Sequence, residues 1–171
     1  MTRAKKTLPR HRRINAKRSS KIEHPRAIAS VCIIWRTSER REIALIKRRD
    51  DHPHHLSGQW FFPGGGVGYN EDPANAAERE TQEECGVAVQ STTLLDTYAL
   101  MEYWSHQGTS HSQPILLIVY EAVHESGKLR AVEECTDARW IPIESIHQYI
   151  EKTTSASHLS AKVRTVLGLA A

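Results

Sequence analysis

The chain has 171 residues, 39% hydrophobic and 25% charged, with a net charge of +3, and is long enough for one domain with a core of its own. No stretch approaches the roughly 18 to 20 uninterrupted apolar residues of a membrane span, and the start lacks the apolar segment of a secretory signal. Three cysteines (Cys32, Cys85, Cys135), far apart and with no C-x-x-C pair, argue against a disulfide framework or a zinc site and make a reducing cytoplasm the simplest compartment.

The charge is unevenly placed. Residues 1–26 hold ten Lys or Arg against Glu23 alone, net +9, and the other 145 residues hold thirteen against nineteen acids, net −6. Residues 1–25 are polar, basic and aperiodic, which predicts a flexible arm ahead of a single domain over 26–171. Electrostatic contact with nucleic acid is one reading of the arm and a solubilising tail is the other, the latter favoured by the lack of aromatics that stack on bases. Its Arg-rich, acid-poor character also admits a transit peptide.

From Ala27 the pattern becomes strand-like. AIASVCIIW (27–35) and EIALIKR (42–48) flank the polar TSERR and predict a hairpin. GQWFFPGGGVG (58–68) reads as a short aromatic strand running into a glycine-rich loop. Asp72 is a helix cap with Pro73 in the first turn, and Gly86 is a stop, which predicts a helix of about 13 residues. Strands follow at 87–104 and 114–123 around the polar loop SHQGTSHSQ, then a short strand at 138–143. PIESIHQYI and SASHLSAKVRTVLGLA read as C-terminal helices. A mixed sheet flanked by helices is expected, an α/β fold.

On the central helix, Ala74, Ala77, Thr81 and Cys85 are spaced 3, 4, 4 and form one packing stripe. Glu80, Glu83 and Glu84, at i, i+3 and i+4, share an adjacent face, and Asn75, Glu78, Arg79 and Gln82 point outward. Like charges at this spacing repel, and carboxylates in the last turns oppose the negative end of the helix, a total cost on the order of 1 kcal/mol. A solvated acidic face is one account of the run. A bound divalent cation is the other, because hard carboxylate oxygens suit Mg²⁺ or Mn²⁺. Arg79 can reach Glu83 one turn on and hold it.

The flanks favour the cation. Gly65, five residues, Glu71, seven residues, then Arg79-Glu80-Thr81-x-Glu83-Glu84-x-Gly86-Val87 resembles the Nudix box, the signature of hydrolases acting on nucleoside diphosphates linked to another group. A chance match of its seven identities at one start point is on the order of 10⁻⁸. Thr81 departs from the pattern, which has an aliphatic residue there. Gln59-Trp60 before Phe62-Pro63-Gly64-Gly65 resembles the family's lead-in and Arg139-Trp140 its closing strand, so the likeness covers roughly residues 26–150.

The resemblance implies the Nudix α/β/α sandwich and Mg²⁺- or Mn²⁺-dependent hydrolysis of a pyrophosphate bond. It assigns metal binding to Glu80, Glu83, Glu84 and the Gly64 carbonyl, with Gly65, Glu71 and Gly86 structural and Arg79 orienting. The base is Glu83 or a loop glutamate before the closing strand, where Glu134 is the candidate and an ordinary surface Glu133-Glu134 pair the alternative. Arg48 and Arg49 are candidates for holding phosphates, and Tyr103, Trp104 and His106 for stacking on a base or lining the pocket mouth; each also reads as plain surface. DDHPHH (50–55) reads as exposed loop rather than metal site. Expected partners are a small nucleotide, no membrane, nucleic acid through the arm, and a second copy of the chain in a homodimer. Ser112-Gln113-Pro114 opens like a motif of NADH-directed members and then departs from it. A nucleoside triphosphate, ADP-ribose or a nucleotide sugar remains as substrate, and the alternative is a non-catalytic Nudix domain serving as nucleotide sensor or RNA-binding module.

Overall fold

The computed structural model describes residues 27–51, 56–106, 109–150 and 158–169. The basic arm, the histidines at 52, 54 and 55, and the side chains of Trp104 and His106 lie outside the described residues. A seven-stranded mixed sheet runs in the order β3-β2-β1-β6-β5, with β4 added to β1 and β7 to β2. The strands are β1 (Ala27–Trp35), β2 (Glu42–Arg48), β3 (Trp60–Phe61), β4 (Gly64–Gly66), β5 (Val87–His106), β6 (Thr109–Gly127) and β7 (Cys135–Pro142). Helix α1 (Pro73–Cys85) separates β4 from β5, and α2 (Ala161–Val166) lies near the C-terminus.

β1 and β2 fall where the β-branched runs place them, but they do not form a regular hairpin. They pair only at Trp35↔Ile43, beside the turn, and then part. The opened edge of β1 is filled by the glycines: Gly64, Gly65 and Gly66 pair antiparallel with Val31, Ser30 and Ala29. The loop expected there is therefore a strand, because residues without Cβ let its backbone approach β1 closely. β3 occupies the matching edge of β2 through Ile46↔Phe61 and Lys47↔Trp60. The segment Trp60–Gly66 thus crosses a split in the sheet, and Gly64 stands at its open end.

Alternation along β1 and β2 feeds two cores. Cys32, Ile34, Ala44 and Ile46 pack with Ala77 and Cys85 of α1. Val31, Ile33, Trp35, Ile43 and Leu45 face Ile146, Ile150, Val163 and Leu167 on the other side. A strand buried on both faces reads as a continuous apolar run, as β1 does. The layers are α1, sheet, and the C-terminal segments, an α/β/α sandwich.

Two expectations change in extent. The polar loop expected between the long strands is largely strand, since β5 and β6 pair out to His106↔Thr109; backbone bonding carries a hairpin through polar side chains that no core requires. The C-terminal helices shrink to a 3-10 segment, Ile143–Gln148, entered at Pro142 without a side-chain cap, and the six-residue α2. Among the described residues no helix is long and apolar enough to cross a membrane. All three cysteines are free and buried.

Helix α1 has the expected ends. The Asp72 carboxylate accepts the Ala74 N–H, Pro73 opens the first turn, and Gly86 closes it in the left-handed region at φ 70°. Thr81 is fully buried, and its hydroxyl donates to the Glu78 and Val87 carbonyls, which satisfies the group an aliphatic residue would not carry. A side chain at position 86 meets both the left-handed penalty and Arg130, whose Nε lies 3.2 Å from the Cβ position. Gly86→Ala is expected to cost about 1–2 kcal/mol in urea unfolding; a change within error of zero would contradict this.

Candidate active site

Every group in the site is carried to the split by an element already described. β4 brings the Gly64 backbone, the last two turns of α1 bring Glu80, Glu83 and Glu84, the end of β2 brings Arg48, and the loop entering β7 brings Glu134. The Arg49 N–H donates to the Glu134 carbonyl at 2.9 Å, and Glu133 sits at φ 50°, so this loop is tied to the end of β2.

The three helix carboxylates are not equivalent. Glu84 is 4% exposed, lying one turn beyond the buried Thr81 on the packing side. Sequence spacing had placed it on a shared acidic face; the helix instead turns it inward. One of its oxygens accepts the Gly64 N–H at 2.8 Å and the other meets Arg48 at 3.0 Å. Burial pushes its pKa up to about 7, against the pull of Arg48 and the Gly64 N–H. Glu80, its side chain 13% exposed, has its pKa raised by burial, while Glu83 is the most exposed, its side chain at 40%.

Arg79 does not point outward as expected. Its guanidinium folds back to Glu71, Glu80 (2.6 Å), Glu83 (2.8 Å) and the Gly66 carbonyl (3.0 Å). Glu71 also accepts the Gly68 N–H, and these donors, Arg79 first, lower its pKa to about 2. Arg79 and Glu71 therefore brace the glycine strand against the helix. Glu78 is exposed and accepts the Thr92 hydroxyl at 2.7 Å.

Arg48 and Arg49 part company. Arg49 is exposed and doubly bonded to Asp51. Arg48 turns in, donating to the Gly64 carbonyl at 2.9 Å and approaching Glu134 at 3.4 Å as well as Glu84. It also borders a cavity of about 60 Å³ lined chiefly by Val31, Phe61, Leu100 and Leu117, with Glu102 and His158 as further polar groups. Glu102 was not singled out from sequence; it accepts Gln113 Nε2 at 2.8 Å. Alternation along β5 sets Tyr103, 53% exposed, on the face opposite Leu100 and Glu102.

Among the described residues no three His, Cys, Asp or Glu side chains converge as a closed metal cage. What converges is a mixed set of hard oxygens, the Gly64 carbonyl, Glu84 and Glu134, around one cationic group, the Arg48 guanidinium. That donor chemistry suits Mg²⁺ or Mn²⁺.

Two measurements follow from this geometry. A Cβ on Gly65 would lie 2.6 Å from the Glu80 carboxyl, the mobile end of a side chain, whereas one on Gly64 would run into the β1 backbone at Ser30 and Val31. Gly65→Ala is expected to keep the fold within about 1 kcal/mol while displacing Glu80, and Gly64→Ala to cost about 3 kcal/mol; equal unfolding midpoints for the two would contradict it. Because burial raises the Glu84 pKa from 4.5 to about 7, its contribution to stability is full below about pH 4.5 and is lost as pH rises through about 7. In chelator, the stability of wild type relative to Glu84→Gln should therefore fall by up to about 3 kcal/mol between pH 4.5 and 8. A difference independent of pH would refute the assignment.

Comparison with known proteins agrees with the fold and the box. The NUDIX domain family profile matches residues 25–163. Over 45 residues the chain is 53% identical to 8-oxo-dGTP diphosphatase of Proteus vulgaris, a segment covering 26% of this chain and 40% of that protein. Over 69 residues it is 35% identical to diphosphoinositol polyphosphate phosphohydrolase 2 of Rattus norvegicus, covering 40% of this chain and 36% of that one. The matches thus span about two fifths of these relatives' own lengths. A MutT NUDIX hydrolase of Burkholderia pseudomallei superposes with a TM-score of 0.60 at 26% identity, covering 87% of this chain and 100% of that structure. The chain belongs to the Nudix family.

Proposed function

We propose that the protein hydrolyses a pyrophosphate bond in a nucleoside diphosphate linked to another group, such as a nucleoside triphosphate, ADP-ribose or a nucleotide sugar. Mg²⁺ or Mn²⁺ is held by Glu80, Glu83, Glu84 and the Gly64 carbonyl. The observation that carries this reading is the gathering of oxygen donors from β4, α1 and the loop before β7 about one positive group at the split. The relatives from Proteus vulgaris and Rattus norvegicus, a diphosphatase and a phosphohydrolase, support a reaction at a phosphate anhydride. Three buried free thiols suit a reducing cytoplasm.

A bound divalent cation neutralises phosphate charge and lowers the pKa of water. The protein's own residues then divide the remaining work by exposure. Glu84 is too buried to take a proton from a solvent-side water. Glu83, at 40%, and Glu134, at 54%, are open enough to accept it at a carboxylate oxygen. Arg79 fixes the Glu83 rotamer through its 2.8 Å bond. Arg49, on the exposed side, can exchange Asp51 for a phosphate oxygen with the same two-pronged geometry.

The test is phosphate release with Mg²⁺ from a panel of ordinary and oxidised nucleoside triphosphates, ADP-ribose, nucleotide sugars and a diphosphoinositol polyphosphate. At least one substrate is expected to turn over, with Glu83→Gln lowering kcat by at least about a hundredfold. No turnover by wild type across the panel, together with RNA binding that requires residues 1–26, would overturn the proposal in favour of a non-catalytic binding module.

A further inference from the structure

We propose that Arg48 is a resident counter-ion of the metal pocket: its guanidinium holds the position between the Gly64 carbonyl, Glu84 and Glu134, and a divalent cation enters by displacing it. This rests on the metal-dependent reading above. Three observations carry it. The Arg48 guanidinium meets three oxygens of the site, at 2.9 Å (Gly64), 3.0 Å (Glu84) and 3.4 Å (Glu134), and these oxygens come from β4, α1 and the loop before β7. A planar fork of donors can span acceptors on three separate elements, as a compact ammonium cannot. The Arg48 side chain is only 14% exposed, against 52% for Arg49, so it is built into the pocket rather than resting on its surface.

The contrast with Arg79 shows why Arg48 is the group that leaves. Arg79 is anchored outside the oxygen set by Glu71 and the Gly66 carbonyl. Among the described residues the Arg48 guanidinium has no such anchor beyond the three oxygens. It also borders the small cavity, so a displaced guanidinium has space on that side. A guanidinium and a divalent ion cannot share the same three oxygens, since two positive centres at contact distance repel strongly where water is scarce. Until the ion arrives, Arg48 keeps the buried Glu84 paired and the three elements in register, a role that an empty acidic pocket could not fill by itself.

The experiment is Mn²⁺ binding without nucleotide, read by loss of the free-ion electron paramagnetic resonance signal, with thermal melts in chelator and in Mn²⁺. Arg48→Met keeps the aliphatic stem and is expected to bind Mn²⁺ at least about tenfold more tightly than wild type. It should melt lower in chelator and show a larger rise on adding Mn²⁺. Arg49→Met removes a neighbouring charge that does not touch the three oxygens, and its affinity should stay within about twofold of wild type. Arg48→Lys keeps the charge but not the fork; it covers the case in which Arg48→Met fails to fold, and should lie between wild type and Arg48→Met. Equal or weaker Mn²⁺ binding in the Arg48 variants, or equal tightening in Arg49→Met, overturns the proposal while leaving the metal site standing. No Mn²⁺ binding by wild type or any Arg48 variant removes the metal reading and the proposal together.

Discussion

Glu84 lies between the Gly64 N–H and the Arg48 guanidinium, and through those two bonds the last turn of α1 is fastened to the place where β1 and β2 part. The rest of the site is arranged about that attachment. The glycine strand can sit against β1 only because Gly64 has no side chain, and its N–H is then free to face the helix. The C-terminal stop at Gly86 sends the chain directly into β5, which holds the helix end over the sheet. A carboxylate at this depth is an expensive fastener, since burial opposes its charge more than its partners favour it.

That imbalance has meaning for what the helix is for. An apolar residue at position 84 would continue the stripe of Ala77, Thr81 and Cys85 and would hold helix to sheet at lower cost. The two arginines offset the acidic cluster unequally. Arg79 shares itself among three carboxylates and a carbonyl, which makes it part of the scaffold. Arg48 answers only oxygens at the open end of the split. The fold therefore tolerates a charged knot at one edge of an otherwise apolar interface, and Arg48 of that knot also lines a cavity.

Much of this was legible in sequence because the signals were local. The cap at Asp72, the stop at Gly86 and the apolar runs of β1 and β2 are set by near neighbours, and their observed limits agree with the pattern. The box spacing located the brace between Arg79 and Glu71 for the same reason. What escaped was non-local. Nothing in GGG announces a strand, since its partner lies more than thirty residues earlier. The inward turn of Glu84 was available in principle, because position 84 is three beyond Thr81 on the packing stripe. So was the direction of Arg48: period-two alternation places it with Ala44 and Ile46, both packed toward α1, and separates it from Arg49. Grouping the two arginines by adjacency hid this. Glu102 carries no local signature at all, and only the pairing of β5 with β6 brings it to the cavity.

The parting of β1 from β2 also bears on how the chain reaches its native state. β5 and β6 meet across a connection of two residues, so their pairing can begin with a short loop closure and extend outward. β1 must instead find β6 across the sequence, with Ala27 opposite Ile115, 88 positions away. Pairing over such a distance carries a larger entropic cost of closure, which is met only once the intervening helix and hairpin have shortened the effective loop. The pairing of β2 with β7 spans a similar distance, with Glu42 opposite Pro142, so both neighbours of the split depend on long-range closure. Because β4 pairs with β1, the Gly64 backbone has its place only where that strand is seated, and the site inherits its dependence on pairing between distant parts of the chain.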